Sequence, residues 1–177
     1  MSLEIERKFL LRENGVAYFT PEFFKYFPSL SELKEEVLKS GVQIRQGYLD
    51  LALGKELGNL AGIECDFTPV EARLRDKNGQ LYFTLKSSGE LTRGELDVNV
   101  DQRLFESYWP RTEGKRVLKV RLKKMINGYA YEIDEYTDRD LAVAEVETAS
   151  VEAANLVVPI GLDVTNDKRY KNKNLAK

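Results

Sequence analysis

Polar and apolar residues alternate with a period of two through most of this chain. At its start Leu3, Ile5, Phe9 and Leu11 share one parity, while Glu4, Glu6 and Lys8 share the other. Strand side chains point alternately to opposite faces, so the pattern predicts a strand over about residues 3–12 with one buried and one ionised face. Helical patches follow at about 21–27 and 31–39, the second opened by Ser31 with Lys34-Glu35 and closed by Ser40-Gly41. The aromatics Phe19, Phe23, Phe24, Tyr26 and Phe27 read as packing against a sheet. A second strand is expected at about 42–51. Residues 52–68 hold three glycines and show no period, which predicts a loop. Strands at about 70–77 and 80–88 flank Asn78-Gly79, and strands at about 115–125 and 129–136 flank Asn127-Gly128, both hairpin signals. Between these pairs lie a strand at about 92–99 and a short helix at about 101–109. An eighth strand at about 139–148, a helix at about 150–157 and a helical turn in the polar tail at about 167–175 complete the chain. The fold class is therefore α+β: eight predominantly antiparallel strands, in a closed barrel or strongly curved sheet, with helices inserted between them.

The polar parity is ionised on strand after strand. Arg73 and Arg75 oppose Ala72 and Leu74; Tyr82, Thr84 and Lys86 oppose Leu81, Phe83 and Leu85. Arg93, Glu95 and Asp97 oppose Leu96 and Val98, and Lys119, Arg121 and Lys123 oppose Leu118, Val120 and Leu122. Glu132, Asp134 and Tyr136 follow, then Glu145 and Glu147 opposite Ala144 and Val146. The plain alternative is that each antiparallel strand has a solvated face. Two features speak against it: nearly every position is charged rather than merely polar, and the signs are segregated into cationic and anionic ladders. Like charges two apart on one strand face repel, so folding does not ask for them. If these faces converge, they require counter-charges of both signs. A polyphosphate with divalent cations supplies both.

Composition narrows the chemistry further. With 177 residues the chain suits one domain, and its net charge of −2 argues against a general polyanion-binding surface, so any anion site must come from local clustering of cations. No apolar run approaches the ~20 residues of a membrane span, and the Met-Ser-Leu-Glu start does not read as a secretory signal. The single cysteine, Cys65, cannot form an internal disulfide and has no thiol-activating neighbours. A cytoplasmic location is expected. The absence of histidine excludes a phosphohistidine, a Ser-His-Asp triad and a His-ligated zinc site. Any catalysis must rest on carboxylates, lysines and arginines, alone or with a hard metal ion.

Glu4-Ile5-Glu6-Arg7-Lys8 matches the ExExK signature of the CYTH superfamily, the triphosphate tunnel metalloenzymes. The match continues through Gln46-Gly47-Tyr48-Leu49, Arg73-Leu74-Arg75, Thr84-Leu85-Lys86, Arg93-Gly94-Glu95, Lys119-Val120-Arg121, Glu132-Ile133-Asp134 and Ala144-Glu145-Val146-Glu147. It reaches Asp163-Val164-Thr165 and Arg169-Tyr170-Lys171-Asn172 in the tail. The chain resembles the compact bacterial inorganic triphosphatases of that superfamily. The resemblance implies a single CYTH domain over residues 1–177: an eight-stranded antiparallel barrel whose tunnel binds triphosphate with Mg²⁺ or Mn²⁺. Departures are Asp97 and Asp163, where relatives commonly have Glu, and longer segments at 13–44 and 50–70.

On this chain the resemblance gives Lys8, Arg45, Arg73, Arg75, Lys86, Arg93, Lys119, Arg121 and Arg169 as phosphate-holding groups. It gives Glu4, Glu6 and Glu147 as ligands of a first metal and Glu95, Asp134 and Glu145 as candidates for a second. Lys8, Glu4, Glu6 and Glu147 are the catalytic set, with Lys8 orienting the attacking water. Neighbouring Glu4 and Glu6 oppose the fall in pKa that a lysine base would need. The leading function is hydrolysis of inorganic triphosphate. Adenylyl cyclisation, thiamine or nucleoside triphosphate hydrolysis and non-catalytic polyphosphate binding are the alternatives. The small-molecule substrate is the expected partner, with no nucleic acid or membrane; oligomeric state is left open, a homodimer among the options.

Overall fold

A computed structural model describes residues 2–89 and 91–177, with Ser2 and Leu3 described by backbone alone; the Leu3 side chain, expected on the buried face, lies outside the described residues. The long strands are β1 (Ser2–Glu13), β3 (Val42–Leu49), β4 (Glu71–Lys77), β5 (Gln80–Lys86), β6 (Thr92–Asn99), β7 (Arg116–Ile126), β8 (Tyr129–Tyr136) and β9 (Leu141–Glu147). Two short strands, β2 (Val16–Ala17) and β10 (Leu162–Asp163), add to β1. The hydrogen-bonded order is β10-β1-β6-β5-β4-β3-β7-β8-β9, and β1 also pairs with β9. The eight long strands thus form a closed antiparallel barrel, as expected.

Turn chemistry fixes the registers. Asn78-Gly79 and Asn127-Gly128 have positive φ at both residues, the twist that a two-residue hairpin needs. Asn14-Gly15 does the same and folds β2 back onto Arg12 and Glu13, a hairpin the alternation pattern did not flag.

The chain condenses into two compact units, each discontinuous in sequence: residues 1–4, 44–117 and 168–177, and residues 5–43 and 118–167. In the first, the apolar faces of β3 to β5 supply Leu49, Leu74, Phe83 and Leu85 to a core completed by Leu57 of α2 (Leu51–Leu60) and Phe105 of α3 (Gln102–Tyr108), with Leu96 and Val98 of β6 packed against it. Helix α2 occupies part of the expected 52–68 loop. Its buried face is Gly54, Leu57 and Gly58, so glycine stands where periodicity would show apolar residues. A Cβ at Gly54 would sit 2.3 Å from that of Ala72 on β4; the glycine permits helix and strand to approach.

In the second unit Phe9, Leu11, Val120, Ile133 and Val146 pack with Phe23, Phe27, Leu33 and Val37. Leu33 and Val37 come from α1 (Leu30–Ser40), which starts earlier than predicted because Ser29, not Ser31, is its cap and accepts from the Glu32 N–H at 3.2 Å. The patch expected at 21–27 is only a short 3₁₀ turn, Phe23–Lys25. α4 (Val151–Leu156) is capped by Ser150, and the tail holds a 3₁₀ turn at Lys168–Tyr170 and α5 (Asn172–Leu175). A bulge between Leu10 and Arg12 reverses the parity of β1, pairing Leu10 with Val143 and Arg12 with Ala142. Arg12 is thereby turned to the core side, where its guanidinium grips buried Glu135 and bonds Asp140 at 2.6 Å. No helix among the described residues is long and apolar enough to cross a membrane.

Candidate active site

The polar faces of both units carry rows of ionised residues, placed by the strand registers. In the first unit one row is Glu71, Lys86 and Glu95, directly opposite one another on β4, β5 and β6. Lys86 Nζ lies 3.0 Å from Glu4 Oε2 and 2.7 Å from Glu95, while Arg93 Nε donates to Glu4 at 2.7 Å. Burial works against the ionised Glu4 carboxylate, but Lys86 and Arg93 prevail and hold its pKa down at about 2. Glu4 is therefore an anion throughout the physiological range.

The next row is Tyr48, Arg73, Thr84 and Asp97. Arg73 is buried, at 6% exposure, and among the described residues it makes no ion pair. Its Nη2 donates to Thr84 Oγ1 at 3.2 Å, and its Nε has no hydrogen-bond partner. A buried, unsatisfied guanidinium N–H is costly, which marks this position as a place for an anion. Tyr48 lies opposite Arg73, and its hydroxyl accepts from Gln46 Nε2 at 2.8 Å. Burial first, then Glu71, push the phenol pKa far up, so the hydroxyl stays a neutral donor. The third row joins Gln46, Arg75, Tyr82 and Asn99. Arg75 Nη2 bonds Asp97 at 2.9 Å.

In the second unit Lys8 faces Glu145 across β1 and β9, and Glu145 faces Glu132, which faces Lys123. Lys8 Nζ lies 2.7 Å from Glu145, whose other oxygen accepts from Arg121 Nη2 at 2.7 Å. Arg121 also binds Asp134 through Nε and Nη2 and Glu132 through Nη1, and Lys119 Nζ donates to Asp134 at 2.5 Å. Burial opposes the Lys8 ammonium, yet Glu145 and then Glu6 raise its pKa above the ordinary lysine value. Lys119 moves the other way: burial and the neighbouring Arg121 lower it to about 8.

The ladders of opposite sign thus neutralise one another across strands within each unit, where the sequence suggested a need for outside counter-charges. In register some acids also meet acids: Glu6 stands directly opposite Glu147, as Glu132 stands opposite Glu145. Two carboxylates so placed repel, and hard oxygen donors of this kind suit Mg²⁺ or Mn²⁺. Among the described residues no three or more acids are gathered as a ready-made metal cage. The donor chemistry fits a hard divalent ion that takes its remaining ligands from phosphate or water.

The expected site residues Glu4, Lys86, Arg93 and Glu95 come together in the first unit, and Lys8, Lys119, Arg121, Asp134 and Glu145 in the second. Arg73 and Arg75 share the Tyr48–Gln46 face. Arg45 does not join them. It lies opposite Asp76 on the other face of β3, bonds that residue at 2.9 Å, and covers the Trp109 ring at 4.7 Å. One residue of parity separates it from Gln46, so the assignment of Arg45 to phosphate binding is corrected. Arg169 is exposed, over the Tyr170 ring at 5.6 Å. Glu71 and Gln46 are buried on the ionised face and were overlooked; both share the parity of Arg73 or its partner.

No family model matches the chain. A protein of Nitrosomonas europaea named inorganic triphosphatase is 38% identical over 141 residues, covering 76% of this chain and 84% of that protein. One of the same name from Acetivibrio thermocellus is 29% identical over 183 residues, covering 100% and 95%. Among solved structures, the crystal structure of an inorganic triphosphatase aligns with a TM-score of 0.56 at 33% identity, covering 99% of this chain and 95% of that one. A putative adenylate cyclase from Bacillus halodurans shares the fold, with a TM-score of 0.51 at 17% identity over 88% and 87% of the two chains.

Proposed function

The chain belongs to the inorganic triphosphatases of the CYTH superfamily, and we propose that it hydrolyses inorganic triphosphate to diphosphate and phosphate with Mg²⁺ or Mn²⁺. The observation that carries this reading is Arg73: a buried guanidinium with an unpartnered N–H beside a neutral tyrosine hydroxyl. Glu71, Glu95 and Asp97 nearby favour its charge, but the buried Nε–H stays unsatisfied, and a phosphate oxygen would complete it.

The paired ladders explain why both components are needed. Lys8, Lys119 and Arg121 are bound to Glu145 and Asp134, and Lys86 and Arg93 to Glu4 and Glu95. Triphosphate alone would compete with those carboxylates for the cations and leave the acids unpaired. With a divalent ion bound as well, the carboxylates would have a cation to hold and Lys8, Lys86, Arg93, Lys119 and Arg121 would be freed to turn to phosphate oxygens, so no buried charge would be stranded. In the second unit Glu6 and Glu147 would hold such an ion, with Asp134 and Glu145 as further oxygen donors; Glu4 and Glu95 offer donors of the same kind in the first. When bound it would neutralise charge on the phosphates and favour attack by water.

The remaining roles follow from the side chains. Arg73, Arg75 and Arg121 grip phosphate oxygens through planar pairs of N–H groups, and Lys86, Arg93 and Lys119 add charge. Glu145 and Glu6 favour the Lys8 ammonium over its burial, which suits Lys8 to orienting water and the terminal phosphate rather than removing a proton. Water oxygen bonds to the terminal phosphorus as its bridging P–O bond breaks; diphosphate leaves with that electron pair, and the water proton passes to a phosphate oxygen. Incubating pure protein with triphosphate, ATP or thiamine triphosphate and either metal, then identifying products, tests the reading. The highest kcat/KM should belong to inorganic triphosphate; a preference for ATP, or formation of cyclic AMP, refutes it.

A further inference from the structure

The segment 161–165 was singled out by its Asp163-Val164-Thr165 motif, yet it contributes no group to the ionised rows. It lies along β1 at Lys8, Phe9 and Leu10. Phe9 pairs with Asp163 and Leu10 with Leu162. The backbone of Lys8 is held at both its polar atoms: its N–H donates to Thr165 Oγ1 at 3.1 Å, and its carbonyl accepts from Val164 N at 2.9 Å. Thr165 is fixed in turn, because its hydroxyl donates to Asp163 Oδ1 at 2.6 Å and its N–H to the same oxygen at 3.0 Å. The second Asp163 oxygen accepts from Arg7 Nη2 at 2.5 Å. Arg7 Nη1 donates to the carbonyls of Ala154 and Val157, each at 3.0 Å, at the end of α4.

Gly161 allows the segment to lie so close. A Cβ there would stand 2.3 Å from the Leu10 carbonyl oxygen, beside the bulge that reverses the strand. Arg7 and Lys8 are adjacent on a strand, so one points to the α4 side and the other to the ionised face. An anchor on Arg7 and on the Lys8 backbone therefore fixes the direction of the Lys8 side chain, which meets Glu145 at 2.7 Å.

We propose that Thr165, oriented by Asp163 and Arg7, is a positioning residue for the reaction: it sets the main chain of Lys8 and so the placement of its ammonium. This rests on the role given to Lys8 above. Thr165 does not touch the substrate; it acts through the strand. Geometric control of this kind has large leverage, since a displacement of ~1 Å at a reacting centre can cost ~10²-fold in rate.

The test is steady-state kinetics with inorganic triphosphate and Mg²⁺ or Mn²⁺, and a melting temperature for each variant. Thr165→Val keeps the shape and removes the acceptor for Lys8 N–H; kcat should fall by about tenfold or more with KM within about twofold. Thr165→Ser keeps the hydroxyl and should restore kcat to within about twofold. Thr20→Val, which loses a bond to the Pro159 carbonyl in the same unit, should lower the melting temperature and leave kcat alone. In a Lys8→Ala background Thr165→Val should change kcat by less than about twofold, since both act through one group. Equal kcat for Thr165→Val and Thr165→Ser, or a fall no greater than that of Thr20→Val, overturns the proposal. If Lys8→Ala alone loses less than about tenfold, the role of Lys8 fails instead. Should Thr165→Val not fold, Asp163→Asn carries the same expectation at smaller size, and unchanged kcat there overturns the proposal equally.

Discussion

Replacing Arg73 with methionine separates binding from folding. Methionine fills the space of the aliphatic stem and removes the guanidinium, so little cavity is left. Breaking a buried ion pair typically costs ~3–5 kcal/mol, which for a chain of this size would lower Tm by roughly 6–20 °C. Arg73 has no ion pair among the described residues and one hydrogen bond, to Thr84; it loses only the longer-range attraction of Glu71, Glu95 and Asp97, which the relieved burial of its charge and unsatisfied N–H should offset. Exchanging its unsatisfied N–H for apolar surface should leave Tm unchanged or raise it. Binding should suffer instead. One hydrogen bond from a charged donor contributes ~1.5–3 kcal/mol, a KM increase of about tenfold to a hundredfold for triphosphate. If Arg73 grips ground and transition states alike, kcat stays within a few-fold. Arg45→Ala is the control: it loses an exposed pair with Asp76 and a contact over Trp109, together ~1 kcal/mol, and KM should hold within about twofold. Thermal melts and steady-state kinetics on both variants decide it. A Tm loss above about 6 °C for Arg73→Met with KM unchanged would make Arg73 a structural residue and refute the reasoning.

Two further outcomes follow from the charges. Excess EDTA should abolish turnover, and Glu147→Gln should do so with the far-ultraviolet circular dichroism intact; full activity in EDTA would remove the metal from the mechanism. The Asp163 carboxyl sits below its ordinary value: burial opposes this, but the Thr165 hydroxyl and N–H and the Arg7 guanidinium outweigh it. Its stabilisation is complete above the ordinary carboxyl range and lost as pH falls through the lowered value, so the urea stability gap between wild type and Asp163→Asn should be flat above pH ~5 and shrink below ~4. An equal gap at pH 3 and pH 7 would refute that linkage.

The period of two was a faithful guide wherever a strand had apolar residues on one side only. On β4 to β9 the buried side is Ala, Leu, Val, Ile or Phe apart from Gly94, Lys124, Tyr131, Glu135 and the strand ends, so most ionised residues had one place left to go. Strand β3 offers no such contrast. Ile44 and Leu49 lie on opposite faces, so charge alone drew Arg45 toward the site, and only the pairing of Gln46 with Arg75 shows otherwise. The bulge in β1 left only adjacent leucines, Leu10 and Leu11, both buried, as its trace. Pairing of the ladders was also beyond reach, because parity assigns a face and not a partner. It takes the registers to set Lys8 against Glu145 and Arg121 against Asp134.

The remaining failure of the pattern, helix α2, leads to a test with opposite signs at two neighbouring positions. Alanine is favoured over glycine in a helix interior by ~1 kcal/mol, so on propensity alone both Gly54→Ala and Gly58→Ala should stabilise. Packing divides them. A Cβ at Gly58 would meet only Phe83 Cε1, at 3.8 Å, an ordinary contact, and this variant should gain up to ~1 kcal/mol. A Cβ at Gly54 would stand 2.3 Å from the Ala72 Cβ, which is short and rigid, so helix or strand must shift. Overpacking of this kind costs ~1–3 kcal/mol, which cancels the propensity gain and leaves a net loss of up to ~2 kcal/mol in urea unfolding. Ala72 adjoins Arg73 on β4, so the displacement should also raise KM for triphosphate, while Gly58→Ala leaves it unchanged. If both variants stabilised the protein, glycine at 54 would be incidental, and close approach of α2 to β4 would not be what hid the helix from its own sequence.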